Sequence, residues 1–278
     1  MLGIVLKNIA LFFVSILFES VYAQEIDPDQ LRLKEIYAAR VQTPPVLDGL
    51  LDDEVWKNVV PESDFLQWRP YNLKPPAEKT EVRLVYDDNY IYVGVNCLTS
   101  KPEKIVGRLG RRDSWQESFG EKSDWVVVAF DSNNDDRTGH HFFVNTVGSR
   151  LDVALSGGGK GGFDSSWDAV WDFKSALHEN GWSIEYRFPF SIFSFEANSN
   201  QDWGFFVARH IQYKQEETQW PCVPFGVEGF VPYYGVLKGI SDIPSPKKIE
   251  ALPYLLSGNT DKVNTSSVGI DLKYGFSA

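Results

Sequence analysis

Residues 182–188 carry the feature that most constrains the fold, because apolar and polar side chains alternate there without exception. Gly181 precedes the segment and Pro189 follows it. Strict alternation is typical of a β-strand, in which successive side chains point to opposite faces of a sheet. The apolar face of such a strand must be buried. The chain therefore contains at least one strand that packs against a core.

Similar segments follow one another along the chain, with turn-forming residues between them. Val82–Tyr86 and Tyr90–Val95 flank three turn formers at 87–89, which predicts a β-hairpin. The remaining predicted strands are Asp124–Phe130, His141–Thr146 and Trp203–Ile211. Of these, Asp124–Phe130 is apolar after its first residue, which is typical of a central strand covered on both faces.

Helical patterns are few and short. Residues 48–56 predict one or two turns, with an Asp cap and with Trp56 facing inward, and residues 189–193 predict a single turn. Aromatic residues make up 14% of the chain, which supplies a large apolar surface for packing strands together. The sequence predicts an all-β fold: an antiparallel β-sandwich with few short helical turns.

The N-terminus is predicted to be an export signal. Lys7 precedes an apolar run at 9–18, and Ala23 ends a cleavage-site pattern. A run of about ten apolar residues fits a signal peptide and is shorter than the roughly 20 that a spanning helix needs. We expect cleavage after residue 23 and a lead-in at 24–39 before the sandwich at 40–243. An uncleaved anchor is the alternative.

The net charge of −11 limits the partners of the chain. An acidic surface without a basic run repels nucleic acid and anionic lipid headgroups, so both are excluded as partners.

Cysteine use is sparse. Cys97 and Cys222 permit one disulfide in an oxidising compartment. The favoured alternative is that Cys97, at the end of an apolar strand pattern, is a buried thiol.

Residues 244–278 differ in kind from the rest of the chain. A Pro-rich stretch leads into Ile249–Leu256, and residues 267–276 then alternate apolar side chains with small or charged ones. Transmembrane barrel strands alternate in this way, and a soluble edge strand does so too. We predict a linker and the truncated start of a C-terminal barrel-like domain.

Motifs of nucleophilic, zinc and phosphate chemistry are absent from the sequence: it contains no Gly-x-Ser-x-Gly, no His-Glu-x-x-His and no P-loop. The metal candidate is the oxygen-rich loop 131–139, with Asp131, Asn133, Asp135 and Asp136 as calcium ligands. A hydrated hairpin loop rich in Asp and Asn is the alternative, because the EF-hand spacing is missing.

The chain has nine tryptophans, of which five stand in loop-like sequence: Trp68, Trp115, Trp167, Trp171 and Trp220. Flat apolar rings with a polar edge suit stacking on sugar rings. Each of them alone could belong to the core instead. Together they predict a saccharide-binding face.

The order of motifs resembles carbohydrate-binding module family 9. The resemblance is carried by Leu47–Trp56, Val82–Val95, Asp124–Asp131, Gly181–Phe190 and Trp203–Arg209. More closely, residues 107–113, 131–145 and 167–171 resemble the N-terminal module of an uncharacterised bacterial family whose members continue into an outer-membrane β-barrel domain.

This resemblance implies a sandwich of jelly-roll type, structural calcium and a pair of tryptophans that enclose a terminal sugar. By position in the domain, Trp115 and Trp220 are the predicted pair. The residues expected to bind sugar hydroxyls are Gln219, Arg111, Arg112 and Asp113. The implied partners are a poly- or oligosaccharide and the chain's own C-terminal barrel domain.

The leading hypothesis is an exported, non-catalytic carbohydrate-binding module linked to carbohydrate catabolism or uptake. It would be periplasmic or outer-membrane-associated in a Gram-negative bacterium. One alternative is a docking domain of a barrel transporter, with residues 108–112 and 167–171 as interface anchors. Another is part of a hydrolase of O-glycosyl compounds, which requires two acids about 5–10 Å apart in a cleft.

Overall fold

The computed structural model describes residues 34–195, 200–243, 248–260 and 263–275. The predicted signal peptide and most of the lead-in and linker lie outside these ranges. The first strands are β1 (Glu35–Arg40), β2 (Leu66–Arg69), β3 (Thr80–Tyr86), β4 (Tyr90–Leu98), β5 (Trp125–Asp131), β6 (Gly139–Asn145), β7 (Arg150–Leu155) and β8 (Phe163–Asp164). The later strands are β9 (Asp172–His178), β10 (Gly181–Pro189), β11 (Asn200–Ile211), β12 (Glu216–Trp220), β13 (Gly235–Ser241), β14 (Lys248–Thr260) and β15 (Val263–Gly275). Within these ranges there are two short α-helices, α1 (Glu54–Lys57) and α2 (Trp115–Ser118).

Strands β1–β13 form one continuous sheet that folds over into two layers. The larger layer runs β8-β7-β6-β5-β11-β13, with β12 beside the second half of β11 and β2 beside β12. The smaller layer runs β3-β4-β10-β9. Strand β1 joins them, since its first half pairs with β13 and its second half with β3. The predicted all-β sandwich is confirmed.

The main core fills the space between the layers. Alternate residues of β3, β4 and β10 face those of β5 and β11 across it, and Trp203 and Phe130 meet edge to face within it. Both faces of β5 are buried, because a second apolar cluster covers its other side. The predictions of a covered central strand, of the hairpin at 82–95 and of the alternating strand at 182–188 are confirmed.

The predicted helix at 48–56 is reduced to α1, which begins only at Glu54. A buried carboxylate explains the difference. Glu185 accepts hydrogen bonds from the backbone N–H groups of Asp48 and Gly49 and from Trp56 Nε1, each at 2.8 Å. These contacts hold residues 48 and 49 in a loop against the smaller layer, and Gly49 takes a φ of 94°, which a right-handed helix does not allow.

Two further predictions can be compared with the structure. Cys97 and Cys222 are both buried free thiols, so the buried-thiol interpretation of Cys97 is confirmed and no disulfide joins them. The tail strands β14 and β15 pair as an antiparallel hairpin. The barrel-like domain that these strands were predicted to begin stays a prediction.

Candidate functional site

A cleft of about 620 Å³ lies on the outer face of the larger layer. Alternate residues of four adjacent strands form its floor: Trp125 and Val127 of β5, His141 and Phe143 of β6, Leu151 and Val153 of β7, and Phe206, Ala208 and His210 of β11. Strand alternation sends the residues between them into the main core. The floor is therefore built on strands whose other face encloses the main core.

The concave shape of the floor follows from side-chain size. Val127 pairs across the sheet with Phe143 on one side and with Ala208 on the other, and Ala208 pairs with Gln219 of β12. The small side chains of Val127 and Ala208 thus stand in the middle of a row that has larger ones at both ends. The centre of the floor is therefore lower than its rim.

Trp115 of α2 forms one wall of the cleft. Its ring stacks on Phe119 with centroids 5.9 Å apart and meets Trp125 and Phe143 edge to face at 5.7 and 5.4 Å. Despite these contacts the side chain is 39% exposed. The packing fixes an aromatic surface whose remaining area is open to a ligand.

Trp68 of β2 stands at the other side of the cleft, beyond β11 and β12. Phe225 and Phe230 pack edge to face against it, and the Arg69 guanidinium lies over its ring at 4.3 Å. The indole Nε1 is buried and has no hydrogen-bond partner among the described residues. This tryptophan was only one of five loop candidates in the sequence.

Trp220 does not stand at the cleft. It is 1% exposed and belongs to the main core, where it packs on Phe205. Gln219, its neighbour on β12, does line the cleft. Successive residues of a strand point to opposite faces, so only one of these two side chains can face a ligand in the cleft. The structure therefore does not place Trp115 and Trp220 on two sides of one cleft, as predicted. It does place Trp115 and Gln219 in the same cleft.

The predicted polar residues 111–113 have separate surroundings. Arg111 is exposed and pairs with Glu117, while the Arg112 guanidinium contacts Asp113 at 3.2 Å, Asp152 at 3.1 Å and also Asp168. Asp152 is fully buried and also accepts the Ala169 N–H at 2.7 Å. Arg112 thus ties its loop to β7 and to residues 168–169. Of the three, only Asp113 lines the cleft.

Of the two other loop tryptophans, Trp171 lies in the main core and Trp167 is partly buried against it. Trp171 is buried against Phe142 and Phe188, and Trp167 packs beside His140 and Phe142. The motif at 167–171 therefore contacts its own domain.

Glu217 is a cleft residue that sequence reasoning missed. It lies two positions before Gln219 on the same face of β12, and Gln219 Nε2 donates a hydrogen bond to its Oε1 at 2.9 Å. Burial raises the pKa of Glu217 to about 7, against the lowering effects of Gln219 and Arg69. The polar alternation of β12, Glu217 then Gln219, was the available signal.

The floor also carries two buried histidines. His210 stacks on Trp125 at 5.5 Å, and burial lowers its pKa to about 4. His141 contacts the Tyr234 hydroxyl at 2.5 Å, and burial lowers its pKa to about 3. Both rings are neutral at pH 7. His210 Nε2 and His141 Nδ1 have no hydrogen-bond partner among the described residues.

The predicted calcium loop lies between β5 and β6. Asp135 Oδ1 accepts the N–H groups of Arg137 and Thr138 at 2.8 Å, and Asp131 Oδ2 accepts the Asp136 N–H at 2.9 Å. These carboxylates thus stabilise the turn, as expected of the hydrated-loop alternative. Within the described ranges, no three His, Cys, Asp or Glu side chains are grouped as a metal site. Calcium binding at Asp131, Asn133, Asp135 and Asp136 stays a prediction.

No protein-family model matches the sequence, and no curated protein matches it significantly. Among solved structures, the chain is similar to a family 9 carbohydrate-binding module from Caldicellulosiruptor kristjanssonii in complex with glucose, with 18% identity and a TM-score of 0.53 over 77% of this chain and 100% of that chain. The complex of such a module with cellotriose gives 18% identity and a TM-score of 0.52 over 75% and 96%. A provisionally assigned carbohydrate-binding protein from Bacteroides uniformis gives 14% identity and a TM-score of 0.53 over 74% and 98%. The described sandwich therefore has the fold of family 9 carbohydrate-binding modules, as the order of its sequence motifs predicted.

Proposed function

We propose that this chain is an exported, non-catalytic module that binds a poly- or oligosaccharide in the cleft on the larger layer. The observation that carries the proposal is the cleft itself: an aromatic floor with Trp115 and Trp68 at its two sides and polar groups between them. Aromatic faces pack on the C–H faces of sugar rings, and the polar groups orient the hydroxyls.

Three unpartnered nitrogen atoms support a polar ligand. Trp68 Nε1, His141 Nδ1 and His210 Nε2 are buried, line the same cleft and have no hydrogen-bond partner among the described residues. A buried polar atom without a partner costs about 1–3 kcal/mol. Because each hydroxyl both donates and accepts, a ligand rich in hydroxyl groups is suited to any of these atoms that becomes accessible when it binds.

The similar structures support the same class of ligand, since the two Caldicellulosiruptor kristjanssonii modules hold glucose and cellotriose. The apolar run at 9–18, followed by the cleavage-site pattern that ends at Ala23, supports a protein that acts outside the cytoplasm, in the periplasm or at the outer membrane. No helix of the described residues is long and apolar enough to span a membrane. A role in carbohydrate uptake or catabolism, and attachment to a C-terminal barrel domain, complete the proposal.

The test is tryptophan fluorescence of the purified chain titrated with cellotriose, xylotriose, maltotriose, chitotriose and glucose. Trp115→Ala and Trp68→Ala should each weaken binding about 5- to 150-fold, because each removes a stacking surface worth roughly 1–3 kcal/mol. Trp220→Phe is the matched control, since that ring faces the main core. A broader glycan array that also gives no binding would refute the proposal.

A hydrolase remains a second candidate because of one observation. Glu217 lines the cleft together with Asp113 and Glu121, and its pKa of about 7 suits a general acid. Incubation with the bound oligosaccharides, followed by chromatography of the products, decides between the two candidates. Cleavage that is lost in Glu217→Gln would favour the hydrolase, while intact sugar after prolonged incubation favours the binding module.

A further inference from the structure

We infer that Glu217 is the specificity-determining acceptor of the cleft, which takes hydroxyl donors from an uncharged sugar and excludes sugars that carry a carboxylate or sulfate. This inference rests on the proposed function and names the ligand class of the same site. It concerns a residue outside the set that the sequence motifs indicated.

The geometry around Glu217 leaves it with few internal partners. Its Cα pairs across the sheet with His210 of β11 on one side and with Arg69 of β2 on the other. Arg69 does not form an ion pair with it, because the guanidinium is stacked on Trp68. Among the described residues, the hydrogen bond from Gln219 is the one polar contact of this carboxylate.

Gln219 is itself held in a fixed orientation. Its Oε1 accepts the Val223 N–H at 3.1 Å, so its Nε2 must face Glu217. The two side chains together present an acceptor and a donor that lie two residues apart on one strand face. Neighbouring hydroxyls of a sugar ring can donate to the first and accept from the second.

The charges that face Glu217 determine the sign of its effect. His210 is neutral, since burial lowers its pKa to about 4, and the Cys222 thiol is neutral because burial raises its pKa to about 12. Arg69 is exposed and carries the positive charge on this side. Across the cleft, Asp113 and Glu121 add negative charge. A half-buried carboxylate in these surroundings repels an anionic ligand, which would also lose its own water on entry.

Proton linkage gives a readout that a structural role would not produce. Hydroxyl groups that donate to a carboxylate favour its ionised form and lower its pKa. An uncharged sugar should therefore bind more tightly above pH 7 than below it. If binding lowers the pKa of Glu217 by two units or more, affinity falls about tenfold from pH 8 to pH 6. An anionic sugar would show the opposite trend, because it binds best when Glu217 is protonated.

The experiment measures Kd at pH 8, 7 and 6 for the neutral trisaccharide that binds best in the fluorescence panel, with cellotriose first, and for tri-galacturonate. It uses the wild-type chain, Glu217→Gln and the matched control Glu103→Gln, which removes an exposed carboxylate outside the cleft. We expect wild type and Glu103→Gln to lose affinity for the neutral sugar about tenfold at pH 6. We expect Glu217→Gln to bind it with a flat pH profile and to lose its discrimination against tri-galacturonate.

The outcomes separate the two claims. If the neutral sugar binds equally at pH 8 and pH 6, or if Glu217→Gln keeps the wild-type slope, the role of Glu217 is refuted and saccharide binding stands. Tighter binding of tri-galacturonate than of the neutral sugar at pH 8 also refutes it. If no sugar binds to the wild type at any pH, the proposed function falls and this inference with it.

Discussion

Substitution of Glu185 tests the most specific structural claim, which is that a buried carboxylate anchors the loop and helix before β2 to the smaller layer. Glu185 is fully buried and accepts three hydrogen bonds, from two backbone N–H groups and from the Trp56 indole. In Glu185→Gln, one amide oxygen can still accept the two backbone groups. The amide nitrogen then faces the indole N–H, donor against donor.

The expected loss of stability in Glu185→Gln follows from this one lost hydrogen bond. One lost bond to a charged acceptor is worth about 1.5–3 kcal/mol, and a buried donor left without a partner costs about 1–3 kcal/mol. Removing the charge also has a stabilising effect. Burial raises the pKa of Glu185 despite its three hydrogen-bond donors, because desolvation disfavours the charged form. The neutral amide of Gln avoids part of this desolvation cost. We expect a net loss of about 2 kcal/mol for Glu185→Gln and about 4 kcal/mol for Glu185→Ala, which also leaves a cavity.

The assay is urea denaturation followed by far-UV circular dichroism, with Glu54→Gln on the exposed face of α1 as the matched control. The control should lie within about 0.5 kcal/mol of wild type. Sugar binding should survive in Glu185→Gln, since residue 185 lies on the smaller layer and the cleft on the larger one. Unchanged or higher stability in Glu185→Gln would refute the reasoning and show that burial of the charge outweighs its three hydrogen bonds.

Three other predictions concern groups outside that network. Burial raises the pKa of Cys97 and Cys222 to about 12, so iodoacetamide at pH 8 should label them only in urea, and rapid labelling of the native chain would contradict their burial. Arg112→Lys should lower the free energy of unfolding in urea by about 2–4 kcal/mol, because it weakens the contacts to the buried Asp152 carboxylate. The exposed pair makes Arg111→Lys the control, with an expected loss under about 1 kcal/mol. Equal losses in the two variants would contradict this difference. In calcium-free buffer, the free energy of unfolding of the wild type relative to Asp131→Asn should fall as pH rises from about 4 to 7, because burial raises the pKa of Asp131 to about 7 in the folded state while the unfolded group ionises near 4. An equal difference at both pH values would contradict this shift, and stabilisation by millimolar calcium at pH 8 but not at pH 5 would support the calcium proposal.

The fold could be predicted from sequence to a large extent, because a strand pattern with period two needs no tertiary information. The hairpin at 82–95 and the strand at 181–189 lie where their patterns placed them. The helix at 48–56 could not be predicted correctly, since its N-terminal half is held by Glu185, a residue more than 100 positions later in the chain. Long-range hydrogen bonds of this kind override local helical preference.

The candidate site was harder to predict, for a reason that β12 illustrates. Gln219 and Trp220 were both assigned to the ligand. Successive residues of a strand point to opposite faces of the sheet, so only one of the two can face the ligand. Sequence alone does not show which face of β12 lies at the cleft, because apolar residues occupy both faces of the larger layer. Glu217 escaped prediction, and Trp68 was not distinguished from the other four loop tryptophans. Their significance depends on β2 and β12 lying side by side, which only the sheet topology shows.

The alternation of side chains along the strands also explains why the cleft is suited to recognition before any ligand arrives. Trp220 and Glu217 share one strand, with the first locked in the main core and the second facing the cleft. Trp115 begins the short helix α2, and two rings of the floor meet it edge to face. A ligand therefore needs to order few side chains, and little conformational entropy is lost on binding. With aromatic surfaces already in place, discrimination among ligands falls to the polar groups on β12, and the pH dependence at Glu217 tests that division of roles.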